Sequence, residues 1–194
     1  MIGVLVSGEG TNLQALVDAG LPVVAVASNR WGAPALARAE REGIPAAVFD
    51  LDRYHSREAR DLAMAAWLAE RGVELVVCAG YMHLLTRPFL ARFPALNVHP
   101  SLLPAFPGMH AVRDALSAGV AETGVTVHFL DEGVDTGPVV AQEPVAVHPR
   151  DTVETLGARI HAVEHRLLPS ATRRCLATRS TLSPENLTPP ARDG

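Results

Sequence analysis

The chain has 194 residues, 17 basic and 21 acidic side chains, and a formal net charge of −4. Every basic residue is an arginine, which excludes Walker-type ATPases, protein kinases and enzymes that form a Schiff base on lysine. A hydrophobic share of 48% is enough for the core of one large domain. The mildly acidic balance argues against a general nucleic-acid or anionic-membrane binder.

The cellular compartment is predicted from the lack of membrane-span and signal-peptide patterns and from the two cysteines. No apolar run reaches the roughly 18 residues of a membrane span, and the N-terminus has no charged region typical of a signal peptide. Cys78 and Cys175 both lie in apolar surroundings, so we expect buried free thiols rather than a disulfide. The sequence predicts a cytoplasmic protein.

Over the first 80 residues, short apolar runs alternate with segments of helical periodicity. The apolar runs predict buried strands of a parallel sheet at Ile2–Ser7, Val23–Ser28, Ala46–Phe49 and Leu75–Ala79. The predicted helices between them are Asn12–Ala19, Ala33–Glu42 and Arg57–Arg71. This order predicts a doubly wound α/β fold with a mostly parallel sheet.

The second half has a different pattern. Ala95–His99 reads as another strand, and the alternating runs Thr123–Leu130 and Val139–Val147 read as antiparallel or edge strands. Asp151 and Glu154 predict a capping box that opens a last helix. We expect a single domain over residues 1–179 and a loose tail over residues 180–194.

A glycine-containing loop, Ser7–Asn12, joins the first strand to the first helix. Thr11 and Gln14 predict a capping box there, and the main-chain N–H groups at a helix N-terminus can bind an anion. Leu13 replaces the third glycine of a dinucleotide fingerprint, and Ser28–Arg30 offers no ribose-binding acid. A phosphate monoester therefore fits better than NAD, and a merely tight turn remains the alternative.

Asn97 and His99 are two residues apart on a predicted strand, so their side chains point the same way. Asp135 lies in a turn constrained by glycine and proline. These three groups suit acyl transfer. The amide can hold an oxyanion, the imidazole can move a proton or share the negative charge, and the carboxylate can orient the imidazole. Each residue also has an ordinary structural reading, as a strand-end amide, a satisfied core histidine and a turn aspartate.

A second pattern, His161, Glu164 and His165, matches the helical signature of inverted zinc proteases. Zinc needs a third protein ligand from elsewhere, and little but tail-like sequence follows this segment. We expect no metal site. Glu164 is expected to face a substrate amine or to lie on the surface.

With these residues in view, the sequence resembles the folate-dependent formyltransferases, and among them those acting on glycinamide ribonucleotide. The resemblance runs from Gly3 to about Leu168. Its most specific segments are Ser7–Ala15, Ala79–Met82, Asn97–Pro104 and Asp131–Pro138.

The resemblance implies transfer of a formyl group from 10-formyltetrahydrofolate to the amine of the ribonucleotide. The implied catalytic residues are Asn97, His99 and Asp135. The implied ribonucleotide contacts are Gly10, Thr11, Asn12 and Glu164. The implied contacts of the formyl donor are Arg57, Met82, His83, Leu84, Leu85, Asn97, Asp131, Glu132, Gly133, Val134 and Asp135. Residues 1–80 would form the phosphate-binding half and residues 81–179 the folate-binding and catalytic half.

One implied contact departs from the family pattern, because family members often carry Arg or Lys where His83 stands. A main-chain contact would tolerate this change, whereas a side-chain contact would weaken binding of the folate tail. Arg57 is the cation on which the tail would then depend.

Three alternatives remain at this stage. A 10-formyltetrahydrofolate hydrolase uses water as the acceptor but usually carries an extra N-terminal domain, and the first strand here is predicted at residue 2. Methionyl-tRNA formyltransferases normally add a basic RNA-binding domain. A nucleotide-binding dehydrogenase is disfavoured by Leu13. We expect two small-molecule substrates and neither nucleic acid nor membrane as a partner, and no oligomeric state is predicted.

Overall fold

A single seven-stranded sheet with helices on both faces organises the computed structural model, which describes residues 1–178. The predicted tail, 180–194, and the last residue of the predicted domain lie outside the described residues. The strands are β1 (Ile2–Val6), β2 (Val23–Ser28), β3 (Ala46–Val48), β4 (Leu75–Cys78), β5 (Ala95–His99), β6 (Glu122–Phe129) and β7 (Val139–Ala146). The helices are α1 (Thr11–Asp18), α2 (Pro34–Arg41), α3 (Arg57–Glu70), α4 (Arg87–Arg92), α5 (Ala111–Ser117) and α6 (Val153–Ala177).

The strand order is β3-β2-β1-β4-β5-β6-β7. The first five strands of this order pair in parallel, and β6 pairs antiparallel with both β5 and β7. The predicted α/β class, with antiparallel strands in the C-terminal half, is confirmed. β2 and β3 are added on one side of β1, and the chain then crosses back to place β4 on the other side. The carboxyl ends of β1 and β4 therefore form a topological switch point, where ligands of such folds bind.

Strand residues alternate between two hydrophobic clusters because successive side chains point to opposite faces. Ile2, Val4 and Val6 pack with residues of α1, α2 and α6. Leu5 packs on the other face with residues of α3 and α4. The central strands are therefore buried on both sides, which is why they read as continuous apolar runs.

The two predicted capping boxes, Thr11 with Gln14 and Asp151 with Glu154, are wrong. The residue before α1 is Gly10, in a left-handed conformation (φ 74°), and no side chain caps the helix. At α6 the reciprocal box is formed by Thr152 and Thr155, whose hydroxyls each bind the other residue's main-chain N–H. A threonine at the third position supplies the acceptor that a glutamate usually provides.

Two short helices, α4 and α5, lie where the sequence predicts none. They have six and seven residues, which is less than two full turns and too short to show helical periodicity. Both follow loops that border the candidate site described below.

Both cysteines are buried free thiols, as predicted. Burial raises the pKa of Cys78 to about 12, so its reactive thiolate form is suppressed. Among residues 1–178, no helix is both long enough and apolar enough to cross a membrane.

The packing of α6 gives a direct stability prediction. Ile160 is fully buried in the cluster that joins α6 to the sheet, so Ile160→Ala should lower the free energy of unfolding by about 2–5 kcal/mol. Val153, on the same helix, is 42% exposed, and Val153→Ala should change it by no more than about 0.5 kcal/mol. Urea titration of both variants measures the difference; equal losses would contradict this account of the core.

Candidate functional site

The site lies at the carboxyl end of the parallel strands, around the switch point between β1 and β4. Ser7, which follows β1, fastens the two loops that meet there. Its main-chain N–H donates to the Gly80 carbonyl (3.1 Å), and its hydroxyl accepts from the N–H of Met82 (2.9 Å). The loops after β1 and β4 are thus held together by one residue.

Asn97 and His99 lie on β5, with their side chains on the same face as predicted, while Leu96 and Val98 face the core. The antiparallel register sets Asn97 directly opposite His128 of β6. Asn97 Nδ2 lies 3.2 Å from His128 Nε2. The site therefore contains a second imidazole that the sequence predictions do not include.

The contacts of His99 indicate where its protons lie. The residue is 4% exposed. Its Nε2 lies 2.8 Å from the Phe106 carbonyl oxygen, and its Nδ1 lies 3.3 Å from Asp135 Oδ2. A carbonyl only accepts hydrogen bonds, so Nε2 carries a proton. A second proton, on Nδ1, would make the ring an imidazolium that faces the Asp135 carboxylate.

Asp135 is the group on which these contacts converge. Its Oδ2 accepts a hydrogen bond from the N–H of Gly108 (2.8 Å), and its Oδ1 lies 3.5 Å from His128 Nε2. The hydrogen bond from His128, the N–H of Gly108 and the charge of His99 hold the pKa of Asp135 below its ordinary value, although burial acts in the opposite direction. The carboxylate is therefore kept ionised.

The Nε2 atom of His128 can either accept or donate a hydrogen bond, because Nδ1 is already used by another contact. Nδ1 lies 2.9 Å from the Phe129 carbonyl oxygen and therefore carries a proton. Unprotonated Nε2 accepts from Asn97, whereas protonated Nε2 donates to Asp135. When it accepts, one of the two hydrogens on Asn97 Nδ2 is used and the other is left for a ligand.

Two backbone features place these groups. Asp135 has φ 55° and Phe106 has φ 52°, a region that non-glycine residues rarely adopt and that costs of order 1–3 kcal/mol. A Cβ added to Gly137 would lie 1.9 Å from the Phe129 carbonyl oxygen. The turn that carries Asp135 thus packs too tightly against the end of β6 for any residue but glycine at position 137.

A cavity of about 360 Å³ opens beside these residues. Its walls are mainly apolar, and the polar groups of Asn97, His99 and Asp135 lie together in its lining. The other proposed donor contacts in the wall are Met82, His83, Leu84, Leu85, Asp131, Glu132, Gly133 and Val134. The structure thus brings together all but one of the predicted donor contacts.

The exception is Arg57, which is exposed at the first turn of α3 and is not part of the cavity wall. Its charge is nevertheless near enough to His83 to help lower the pKa of that imidazole. Arg57 therefore lies beside the cavity rather than in it.

The predicted ribonucleotide contacts form a second cluster at the start of α1. Gly10 can have no side chain, because a Cβ there would lie 2.6 Å from the Cβ of Ala35. Asn12 Nδ2 donates to Glu164 Oε2 of α6 (2.9 Å), and both side chains are buried. Thr11 lines a separate groove of about 490 Å³. Glu164 is thus buried beside the loop rather than on the surface.

The zinc-like pattern forms no metal site. The rings of His161 and His165 stack with their centroids 6.4 Å apart. Within residues 1–178, no group of three or more His, Cys, Asp or Glu is arranged to hold a metal ion.

Comparison with known proteins gives consistent results. A family model described as formyl transferase matches residues 1–172. The chain is 47% identical over 175 residues to the phosphoribosylglycinamide formyltransferase of Mycobacterium tuberculosis, and the match covers 87% of this chain and 81% of that protein. It is 45% identical over 182 residues to the trifunctional purine biosynthetic protein adenosine-3 of Chironomus tentans, covering 89% of this chain. The chain spans only 13% of the length of that trifunctional relative.

A solved structure has the same architecture. The crystal structure of glycinamide ribonucleotide transformylase 1 from Symbiobacterium toebii superposes with a TM-score of 0.87 at 50% identity. The superposition covers 89% of this chain and 85% of that one.

The ionised state of Asp135 predicts a pH-dependent contribution to stability. A carboxyl group with a lowered folded-state pKa stabilises the fold fully above its ordinary pKa of 3.8, and this stabilisation is lost as the pH falls through the lower value. Between pH 5 and pH 3, the wild type should therefore lose more free energy of unfolding than Asp135→Asn. Urea titrations at both pH values measure this difference. Parallel losses in the two proteins would show that Asp135 is not held ionised.

Proposed function

The chain belongs to the formyl transferase family, and we propose that it transfers the formyl group of 10-formyltetrahydrofolate to the amine of glycinamide ribonucleotide in purine biosynthesis. The observation that carries this proposal is the convergence of Asn97, His99 and Asp135 in the lining of one apolar cavity. The names of the similar proteins support the choice of substrates.

The cavity suits a folate as formyl donor. Leu85, Leu90 and Leu130 offer apolar surface to a flat ring system. Residues 131–135 line the same space and offer polar groups to the edge of such a ring. Asp131 stiffens this border, since its Oδ1 accepts from the N–H of Gly133 (3.0 Å) and the Thr136 hydroxyl (2.7 Å).

The cluster at α1 suits the ribonucleotide. The N–H groups at the start of the helix can hold a phosphate without lysine, as the composition requires. Asn12 Oδ1 is buried and has no hydrogen-bond partner among the described residues, and the Glu164 carboxylate next to it is also an acceptor. Two buried acceptors call for a ligand that donates hydrogen bonds, such as an amine or a sugar hydroxyl.

In the proposed reaction, the amine nitrogen attacks the formyl carbon, and the carbonyl oxygen becomes an oxyanion. Asn97 donates its free N–H to that oxygen, and the His99 imidazolium shares the negative charge. Both ring nitrogens of His99 have protein partners, so a direct bond to the oxyanion requires Nδ1 to leave Asp135. Asp135 takes the amine proton, directly or through a water. The oxyanion then re-forms the carbonyl as the bond between the formyl carbon and the folate nitrogen breaks, and Asp135 returns its proton to the departing folate nitrogen.

The proposed substrates are both small molecules, and the proposed compartment is the cytoplasm. The free thiols of Cys78 and Cys175 are consistent with a reducing environment.

The function is tested by supplying 10-formyltetrahydrofolate with and without glycinamide ribonucleotide and measuring release of tetrahydrofolate. We expect tetrahydrofolate only when the ribonucleotide is present, with formylated ribonucleotide formed in equal amount. Release at the same rate without the ribonucleotide would identify a hydrolase instead. Absence of release in either case would contradict the proposal.

The proposed catalytic roles of Asn97 and His99 predict that their substitution lowers kcat without weakening binding of the ribonucleotide. Asn97→Ala and His99→Ala should each lower kcat by about 10²–10³, the usual cost of losing an oxyanion stabiliser. Both should leave the affinity for the ribonucleotide nearly unchanged, because the proposed phosphate contacts lie at the start of α1 and not on β5. His110→Ala is the matched control, since His110 is exposed and outside the cavity. Steady-state kinetics and direct binding of the ribonucleotide provide the two readouts, and normal turnover by both variants would contradict the mechanism.

A further inference from the structure

A row of three polar side chains crosses the antiparallel part of the sheet. His99 of β5 lies directly opposite Thr126 of β6, and Thr126 lies directly opposite Gln142 of β7. Residues that are directly opposite each other in an antiparallel pair have their side chains on the same face of the sheet. Gln142 is therefore aligned with His99, although it lies two strands away on an edge strand.

The hydroxyl of Thr126 fastens the loop that follows β5 to this face. It donates to the Ser101 carbonyl (2.7 Å) and accepts from the main-chain N–H of Leu103 (3.1 Å). It also accepts from Gln142 Nε2 (2.8 Å), which donates in addition to the Leu103 carbonyl (2.8 Å). A hydroxyl has one hydrogen and two lone pairs, so the hydroxyl of the fully buried Thr126 has no bonding position left over.

An apolar contact holds the same loop against the sheet. Leu102 packs on β6 at Gly124, where an added Cβ would lie 2.5 Å from Leu102 Cδ2. Gly124 is two residues before Thr126, so both positions face the loop. The start of the loop is thus held by packing as well as by hydrogen bonds.

The far end of the loop carries the acceptor that determines the state of the His99 ring. Ser101 is fully buried, and its hydroxyl donates to the Ala105 carbonyl (2.5 Å) and lies 3.3 Å from the Phe106 carbonyl oxygen. The Phe106 carbonyl oxygen in turn lies 2.8 Å from His99 Nε2. Asp135 Oδ2, 3.3 Å from Nδ1 on the other side of the ring, competes for the single proton of a neutral imidazole. A shift of the loop would let that proton move to Nδ1.

We propose that Thr126 and Gln142 are positioning residues that hold the loop of residues 101–106 against the sheet. The held loop keeps the Phe106 carbonyl in place, and this carbonyl keeps a proton on His99 Nε2. Neither positioning residue lines the cavity, so both act through the loop. For turnover, this inference rests on the proposed function, whereas the state of the ring is a property of the free protein.

The state of the His99 ring is tested without any ligand. The ¹⁵N chemical shifts of the ring are measured at a pH above its titration, where it carries one proton. We expect that proton on Nε2 in the wild type and a mixture of the two tautomers in Thr126→Val, which keeps the shape of the side chain but removes the hydroxyl. Thr126→Ser retains the hydroxyl and should retain the wild-type spectrum. A proton on Nδ1 in the wild type would overturn the proposal, as would a wild-type spectrum in Thr126→Val.

Thr123→Val is the matched control. Thr123 is a buried threonine of the same strand, and its hydroxyl has no hydrogen-bond partner within residues 1–178, so its loss should leave the tautomer unchanged. Gln142→Met removes both donors of the amide and should shift the tautomer in the same direction as Thr126→Val. Gln142 is exposed, so this variant decides if Thr126→Val does not fold, and a wild-type spectrum in it would then overturn the proposal.

Turnover of the two proposed substrates provides the second readout. Thr126→Val and Gln142→Met should each lower kcat about tenfold, the effect of a misplaced rather than a missing group, and should leave KM within about threefold. Thr126→Ser should recover most of the kcat that Thr126→Val loses. A fall in kcat without a change of tautomer would overturn the proposal. A failure of the proposed function has a different signature, since the wild type would then show no turnover while its tautomer is as described.

Discussion

The ionised carboxylate of Asp135 is held between the imidazoles of His99 and His128, and the rest of the site is arranged around that contact. Two features of the fold place Asp135 between these imidazoles. The antiparallel register of β5 and β6 sets His128 opposite Asn97, and a turn that tolerates only glycine at position 137 brings the chain back over the end of β6. Holding Asp135 at a positive φ is costly, and the hydrogen bonds to its carboxylate offset that cost.

The two candidate ligand sites lie at the same edge of the sheet, on loops that follow β1 and β4. The β1–β4 switch point places a helix N-terminus on one side and an apolar cavity on the other, and Ser7 joins their loops by hydrogen bonds. A reaction between a phosphorylated acceptor and a folate donor needs this arrangement, because each substrate is held by its non-reacting part while the reacting atoms meet near Asn97. The binding energy of the distant groups is then available to orient the reaction.

Local sequence patterns predicted most of the fold and the main polar groups of the site. The strands are buried on both faces and hence continuously apolar, and the alternation along β5 predicted that Asn97 and His99 share a face. The remaining site residues depend on contacts between distant segments. His128 was not predicted because its role follows from the register of β6 against β5, and Phe106 contributes only its carbonyl. Arg60 reads in the sequence as an ordinary helix-surface arginine, yet it is fully buried and paired with Asp61.

The most direct test is an NMR titration of the Asp135 side-chain carboxyl carbon in the free protein, from pH 6 downward. If the two imidazoles and the Gly108 N–H hold the carboxylate as described, its titration midpoint lies below the ordinary value of 3.8. Substitution of His128 by phenylalanine should then move the midpoint upward, since the hydrogen bond from His128 is the largest of the effects that lower it. A wild-type midpoint at or above 3.8 would contradict the account of the site.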